Sequence, residues 1–401
     1  MGSHLFVYEV PSLQGSRFVQ TLQRIGTVLL AIGLLGTAFT AVLTPERLAP
    51  SYILGFFYVL SITVTATFLS ALLFLVRAGW SATVRRSIEF IAAPLPLLLL
   101  GLLPLAIAPG LFFHWIHELH AGDPIIASKG WFLNEPFLAA RLILYGVAWG
   151  FMYRSVIGNS LRQDLAPEGD YTPTLCNFRQ SAVWVLVYAL TFTFASVDLL
   201  MALEPHWYST IFGVYSFAAS FTATLSAVIL LVVALREQGY LRDFVTDEHY
   251  HDLGKLLFAF CIFWAYIAFS QYMLIWYGNL PEETVYFLKR MGQGTWQIFG
   301  IFLPALRFVL PFVLLLRRDA KRNPRILMAA AITVLLGHYI DIAWIVLPAF
   351  APSLRWGWQE IAVLAAWLGI ALLLITRQMQ RVPAVAYRDP YLQESLHTVS
   401  G

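Results

Sequence analysis

Charged residues are scarce in this chain of 401 residues. Asp, Glu, Lys and Arg together make up 12% of it, whereas hydrophobic residues make up 59%. Soluble domains typically have about one quarter charged residues, so this composition excludes an ordinary water-soluble protein and indicates a membrane protein. The net charge of +3 is small and gives no support to nucleic-acid binding.

Redox and nucleotide motifs are also lacking. Cys176 and Cys261 lie far apart and form no CxxC pattern, so neither a disulfide framework nor iron–sulfur ligation is predicted. The chain has no Walker A loop and no dinucleotide fingerprint, which leaves ATP-driven work and NAD chemistry without support. Among the histidines only His338 lies well inside an apolar run. Because a haem held between helices needs two facing histidines, a cytochrome b core is not predicted.

Long apolar runs are what the chain has instead. Ten of them are long enough to cross a hydrocarbon core of about 30 Å as helices, and their continuity does not fit the alternation of a β-barrel strand. We therefore predict an all-α polytopic membrane protein with ten transmembrane helices. The predicted spans are 21–43, 51–76, 88–112, 136–157, 178–203, 209–235, 254–277, 294–316, 325–350 and 358–376.

Basic residues are distributed unevenly between the two sides of these spans. Most of the 26 Lys and Arg residues fall in alternate loops or at the adjoining span ends, and two more, Arg141 and Arg307, lie deeper within spans. The opposite loops hold only Arg47, Lys129, Lys289, Arg290 and Arg355. Short loops rich in Lys and Arg face the cytoplasm, so both termini are expected to be cytoplasmic.

The second to fifth spans resemble the sixth to ninth in the same order. The second begins SYILGFFYVL and the sixth STIFGVYSFA, and each continues with Thr-Ala-Thr. The fourth span reads PFLAARLIL around Arg141 and the eighth reads FLPALRFVL around Arg307. The fifth and ninth each carry an aspartate followed seven residues later by a proline. We predict two parallel four-helix bundles with the first and tenth helices peripheral. The predicted units are 1–50 (cytoplasmic N-terminus and peripheral helix), 51–208, 209–350 and 351–401 (peripheral helix and cytoplasmic tail).

Ionisable side chains inside the spans are the first candidates for function. Each bundle is expected to pair its arginine with its aspartate, because an unpaired charge in low dielectric is costly. His338 lies three residues before Asp341, on the same helix surface, and such a pair is typical of proton relays. The alternative is that the pairs only lock helices together. The candidate proton path comprises Asp198, Asp341, His338, Arg307, Arg141, Glu89, Glu204 and His206.

Hydroxyl side chains of the second span would either relay protons or pack helices. They are Ser61, Thr63, Thr65, Thr67 and Ser70.

An aromatic and polar patch marks the end of the seventh span. Its members are Gln271, Tyr272, Trp276 and Tyr277. Such residues would line a site for a quinone head group or form an interfacial aromatic belt.

Two histidine groups lie between spans. No cysteine or organised carboxylate set completes a metal site around His114, His117 and His120, so no metal is predicted and a loop that contacts a partner is favoured. His249 and His251 are expected in a solvated turn.

Two stretches carry a family resemblance. LEPHWYSTIFGVYSF and LGKLLFAFCIFWAYIAFSQYMLIWYGNLPEET resemble membrane subunits of the NrfD/polysulfide-reductase type, most closely the smaller NrfD-like subunit of bacterial alternative complex III. That complex is an oxidoreductase between quinol and cytochrome c or another high-potential acceptor. The resemblance covers the second to ninth spans and implies the same two four-helix bundles. It also implies proton translocation through buried polar residues, here Asp198, Arg307, His338 and Asp341.

The resemblance implies partners and a location as well. The partners are a larger NrfD-like paralogue, a periplasmic-side iron–sulfur subunit and haem c subunits, in the bacterial cytoplasmic membrane. No cofactor is predicted for this chain, while a quinone ligand is left open. The alternatives are a structural anchor of the same complex and a stand-alone secondary transporter, because parallel repeats also build transporters.

Overall fold

The structure is a computed structural model that describes residues 12–292, 295–351, 353 and 356–398. Within them the chain forms helices and no β-strand, and ten helices are long and apolar enough to cross a membrane. The predicted all-α class and the predicted number of spans are therefore confirmed. Arg355, expected in a loop, lies outside the described residues.

The ten helices are α1 (Arg17–Leu43), α2 (Pro45–Leu75), α3 (Gly79–Ile107), α4 (Glu135–Leu165), α5 (Thr172–Leu203), α6 (Phe212–Glu237), α7 (Asp247–Gly278), α8 (Gln297–Leu315), α9 (Pro324–Phe350) and α10 (Trp358–Met379). Shorter helices lie between them at Trp115–His120, Pro124–Ser128, Pro281–Met291 and Arg318–Arg322. We call the end of the bundle that carries Arg77, Arg162, Arg236 and Arg317 the basic end.

Helix boundaries follow local sequence signals. Asn134 caps α4 by accepting a hydrogen bond from the N–H of Phe137 at 2.9 Å, and Asn323 caps α9 in the same way. A proline follows each cap in the first turn, where its missing N–H has no cost. Several helices extend beyond the predicted spans, because a helix continues into its polar ends after the hydrocarbon core has been crossed.

α2 and α6 form the centre of the molecule and contact each other. α2 packs against α3, α4 and α5, while α6 packs against α7 and α9. Across the centre α2 contacts α9 and α6 contacts α5. Two parallel copies of a four-helix unit would make this set of contacts. The duplication itself stays a prediction, as do the domain limits and the cytoplasmic position of the termini.

α1 and α10 lie outside the two bundles. α1 packs chiefly against α10, and α10 packs against α2. A Cβ atom on Gly33 would lie 2.2 Å from the backbone nitrogen of Ala366, and one on Gly369 would lie 2.5 Å from that of Leu30. The two backbones approach this closely only because both positions are glycine.

The C-terminal segment folds back over the basic end and covers the turn that was expected to be solvated. His249 and His251 are buried in the first turns of α7, so a solvated turn is wrong. His249 Nδ1 accepts a hydrogen bond from the N–H of Thr246 at 3.1 Å, and its Nε2 lies 3.2 Å from Ser395 Oγ. The tail covers this turn, which a local sequence pattern does not reveal.

The contact between α1 and α10 gives a first prediction. Gly33→Ala forces the helices apart and is expected to lower the free energy of unfolding by about 1–3 kcal/mol. Thermal unfolding in detergent measures this effect. Gly278→Ala is the control, because no atom lies within 4 Å of a Cβ there. Equal melting temperatures for the two variants would contradict the close approach.

Candidate functional site

The first buried ion pair, Arg141 with Asp198, is fully hydrogen-bonded. Arg141 Nε and Nη2 donate to the two carboxylate oxygens of Asp198 at 2.9 and 2.8 Å, and the Tyr145 hydroxyl donates to Oδ2 at 2.7 Å. The remaining guanidinium nitrogen, Nη1, donates to the carbonyl of Phe132 at 3.0 Å. Every polar atom of the pair is therefore satisfied, which is what a buried pair needs in order to be stable.

The second ion pair, Arg307 with Asp341, is only partly hydrogen-bonded. Arg307 Nε lies 3.8 Å from Asp341 Oδ2, beyond hydrogen-bond distance. Asp341 Oδ1 accepts a hydrogen bond from the hydroxyl of Tyr215, and Arg307 Nη2 donates to Thr222 Oγ1 at 3.0 Å. Within the described structure, Asp341 Oδ2 and Arg307 Nη1 have no hydrogen-bond partner. A buried polar atom without a hydrogen bond costs free energy. These two atoms therefore mark a candidate functional site.

The backbone around Arg307 explains its position. Residues Ala305–Val309 form a π-helical turn directly after Pro304, and such turns are rare and frequent at functional sites. Opposite it, a Cβ on Gly337 would lie 2.8 Å from Arg307 Cδ. Gly337 therefore provides the space through which the arginine stem reaches the interior.

His338 turns towards the centre of the molecule. Its Nε2 lies 3.0 Å from Ser61 Oγ on α2, and its ring packs against Tyr58 with centroids 5.3 Å apart. In the described residues no hydrogen bond joins His338 to Asp341, and its Nδ1 has no partner. The helix spacing thus places the two on neighbouring surfaces of α9.

Glu89 lies at the basic end, far from Asp341 along the bundle. Arg86 forms ion pairs with both Glu89 and Asp164, and all three side chains are buried. Glu89 Oε1 and Asp164 Oδ1 have no hydrogen-bond partner in the described structure. This cluster is therefore a second place where buried carboxylate oxygens are left unsatisfied.

Glu204 lies at the opposite end and fastens the helix Pro281–Met291. Its Oε1 accepts a hydrogen bond from Arg290 Nη2 at 2.7 Å. Arg290 Nε donates at 2.8 Å to the carbonyl of Trp344, the acceptor that Pro348 leaves free because proline has no N–H. The proline of the second Asp-x6-Pro element thus creates a docking point for an arginine.

His206 is exposed and separate from Glu204. Its Nε2 lies 2.9 Å from Asp123 Oδ2. The pKa of Asp123 is lowered, first by the hydrogen bond from the backbone N–H of Ile126 and then by His206. We assign this pair to the surface loops and not to the buried cluster.

A cavity of about 540 Å³ lies beside Tyr215, between α6, α7, α8 and the helix Pro281–Met291. That volume is in the range of sites for small organic ligands. Tyr266 and Phe269, at its rim, are 65% and 62% exposed, so the mouth opens sideways where lipid would lie. The wall includes Phe212, Tyr272, Phe287, Leu303, Phe308 and Trp344.

Three polar groups in this wall are candidates for contact with a ligand. Trp344 Nε1 is buried without a hydrogen-bond partner in the described structure, and a Cβ on Gly300, another wall residue, would lie 3.8 Å from it. The hydroxyl of Tyr215 connects the wall to Asp341. Burial raises the pKa of Tyr286, also in the wall, above its usual value, so this phenol stays neutral.

The predicted aromatic patch divides into two parts. Gln271 and Tyr272 line the cavity. Trp276 and Tyr277 are 65% and 85% exposed and are not among its wall residues. Their orientation is that of an interfacial aromatic belt.

The histidines of the HWIHELH stretch do not converge. His117 Nε2 lies 3.0 Å from the carbonyl of Gly110, while the His114 ring packs against Phe350. Desolvation lowers the pKa of His114. The described residues contain no group of three or more His, Cys, Asp or Glu placed to hold a metal ion.

Several residues of the site have only weak signals in the sequence. Tyr145 lies four residues after Arg141, on the same helix face, and this spacing was available to find it. Trp344 lies three residues after Asp341 on α9, and this spacing was available as well. Tyr215 and Trp264 come from α6 and α7, so no spacing places them near Asp341. Comparison with protein-family models and with curated proteins finds no match to this chain.

The contrast between the two pairs gives a second prediction. Asp198→Asn is expected to lower the free energy of unfolding by about 3–5 kcal/mol, because it leaves Arg141 buried without its counter-charge. Asp341→Asn is expected to cost clearly less, since the amide oxygen still accepts from Tyr215 and Oδ2 made no hydrogen bond. Denaturant unfolding in micelles compares them, and equal losses would contradict the difference.

Proposed function

We propose that this multi-pass membrane protein is a subunit of a quinol-oxidising complex of the alternative complex III type and conducts protons through its second bundle. The supporting observation is Asp341, a buried carboxylate with one unsatisfied oxygen beside a tyrosine that lines a lateral cavity. A carboxylate held this loosely changes its protonation at lower cost than one closed on an arginine. The proposed location is the bacterial cytoplasmic membrane.

The proposed path runs from the basic end to Asp341. His338 lies nearer to the basic end than Asp341 does and contacts Ser61 on α2. Further along α2, Thr65 Oγ1 lies 2.7 Å from the hydroxyl of Tyr188, and Ser70 Oγ is buried without a partner in the described structure. These hydroxyls lead towards the carboxylates of Glu89 and Asp164. Water molecules would bridge the gaps between them.

The first bundle has a different proposed role. Asp198 and Arg141 saturate each other, so this pair favours the structural alternative for its half of the protein. The structural-anchor hypothesis and the proton-path hypothesis thus apply to different bundles.

The cavity is proposed to receive the head group of a quinol. Its apolar wall and lateral mouth suit a lipid-soluble molecule, while Trp344 Nε1 offers a donor for a quinone oxygen. Oxidation of a quinol releases two protons and two electrons. The Tyr215–Asp341 pair would accept protons one at a time, and the electrons would pass to iron–sulfur and haem c centres of partner subunits. A larger NrfD-like paralogue is the further expected partner.

The proton path is tested in the intact complex in liposomes. Asp341→Asn and His338→Ala are expected to leave the complex assembled and to lower the number of protons moved per electron. Asp243→Asn is the control, because it neutralises an exposed carboxylate at the basic end. Unchanged proton stoichiometry in both path variants would overturn the proposed conduction.

The quinol site is tested separately by filling the cavity. Gly300→Phe is expected to weaken the binding of a quinol analogue by at least about tenfold, since a bulky ring would occupy space that the ligand needs. Val313→Phe adds the same ring on the exposed surface of α8 and serves as the control. Equal affinities in the two variants would contradict a ligand in this cavity, whatever the outcome of the proton measurements.

A further inference from the structure

A second cavity, of about 500 Å³, lies on the first bundle between α3 and α4, towards the basic end. The proposed proton path does not use it. Its lining residues include Pro96, Gly150, Tyr153, Arg154, Gly158 and Arg162. A cavity with two arginines on the lipid-facing side of a membrane helix requires an explanation.

The two arginines converge on one place. Arg154 and Arg162 are eight residues apart on α4 and flank Gly158. Arg162 Nη2 lies 4.0 Å from where a Cβ on Gly158 would be, so its guanidinium folds back along the helix towards Arg154. Both side chains line the same cavity. They thus form a positively charged concavity on one helix face.

Few protein groups compensate this charge. Arg154 forms no hydrogen bond and no ion pair within the described structure, and Arg162 donates only to the neutral amide of Asn159, at 3.0 Å. Glu89 and Asp164, two buried carboxylates at the basic end, form ion pairs with Arg86. The positive charge is therefore available to an anion.

An apolar groove continues from this cavity along the same helices. It has a volume of about 180 Å³, and its walls include Leu99, Leu103, Ile143, Gly146 and Val147. The two spaces adjoin, because a Cβ on Gly150 in the first would lie 3.4 Å from Leu99 Cδ1 in the second. Positions 146 and 150 of α4 are glycines, so no side chain from these positions fills the groove.

The interruption of α3 forms the other wall. Pro94, Pro96 and Pro104 lie in a stretch where α3 changes from α-helix to a 3₁₀ turn at Leu99–Leu102 and back. Proline removes backbone hydrogen bonds and bends a helix. The shape of the groove between α3 and α4 is thus set by the backbone of α3 and does not depend on one side-chain rotamer.

The depth of the arginines fits a lipid head group. α4 has 31 residues and is about 46 Å long, so its ends extend beyond a hydrocarbon core of about 30 Å. Arg162 then lies at the interface, and Arg154 reaches it by extending its side chain along the helix. The apolar groove lies deeper, at the level of acyl chains.

We propose that this combined cavity and groove binds one anionic phospholipid, with its phosphate between Arg154 and Arg162 and an acyl chain along Gly150 and Gly146. Basic pockets between membrane helices recognise anionic head groups through charge. The apolar groove adds the requirement for a chain, which a free phosphate ion does not meet. This site is independent of the proposed quinol oxidation.

The test is native mass spectrometry of the detergent-purified protein with added phosphatidylglycerol or phosphatidylcholine. The wild-type protein is expected to retain one phosphatidylglycerol in preference to phosphatidylcholine. The double variant Arg154→Gln/Arg162→Gln is expected to weaken phosphatidylglycerol binding by about 30-fold, since two basic contacts are lost. The matched control Arg179→Gln/Arg377→Gln removes two exposed arginines at the same end and is expected to leave binding unchanged.

A further variant distinguishes a lipid from a free anion. Gly150→Leu keeps both arginines and fills the groove, so it is expected to abolish phosphatidylglycerol retention. The melting temperature of each variant checks that it is folded. Retention in the double variant equal to that in its control would overturn the proposal. Retention in Gly150→Leu together with displacement by inorganic phosphate would overturn it as well, by identifying a simple anion site.

Discussion

A charge between membrane helices is stable only when neighbouring groups replace the water that it has lost. Two arginine–aspartate pairs in this protein meet that requirement to different extents. Arg141 and Asp198 satisfy it completely with each other, Tyr145 and one backbone carbonyl. Arg307 and Asp341 satisfy it only in part. The same two residue types therefore form a fully hydrogen-bonded pair between α4 and α5 and an incompletely hydrogen-bonded pair between α8 and α9.

The backbone maintains this difference. The π-helical turn after Pro304 places Arg307 beside Gly337, whereas α4 is continuous around Arg141. The aspartates also obtain their tyrosines from different sources, since Tyr145 lies on the arginine's own helix and Tyr215 comes from α6. Because Tyr215 also lines the lateral cavity, a molecule in that space would lie beside the hydrogen bond that Tyr215 donates to Asp341. Neither Asp198 nor Tyr145 is among the described residues that line this cavity.

The ten spans and the two arginine–aspartate partners could be predicted from the sequence, because apolar length fixes a membrane helix and few charges were available to pair. The looseness of the second pair could not, since it arises from tertiary placement of Arg307 and Tyr215. Helical periodicity separates Gln271 from Trp276 and Tyr277. It does not separate Tyr272 from Trp276, which lies four residues later on the same face, so the division between cavity and surface was only partly accessible. The burial of His249 was not, because the covering Ser395 comes from the far end of the chain.

We propose that Asp341, and not Asp198, changes its protonation when the complex turns over. Infrared difference spectroscopy of the intact complex, recorded on addition of quinol, observes a carboxyl group directly through its C=O stretch. We predict a carboxyl signal that disappears in Asp341→Asn and persists in Asp198→Asn. A signal that survives Asp341→Asn, or that disappears only in Asp198→Asn, would contradict it.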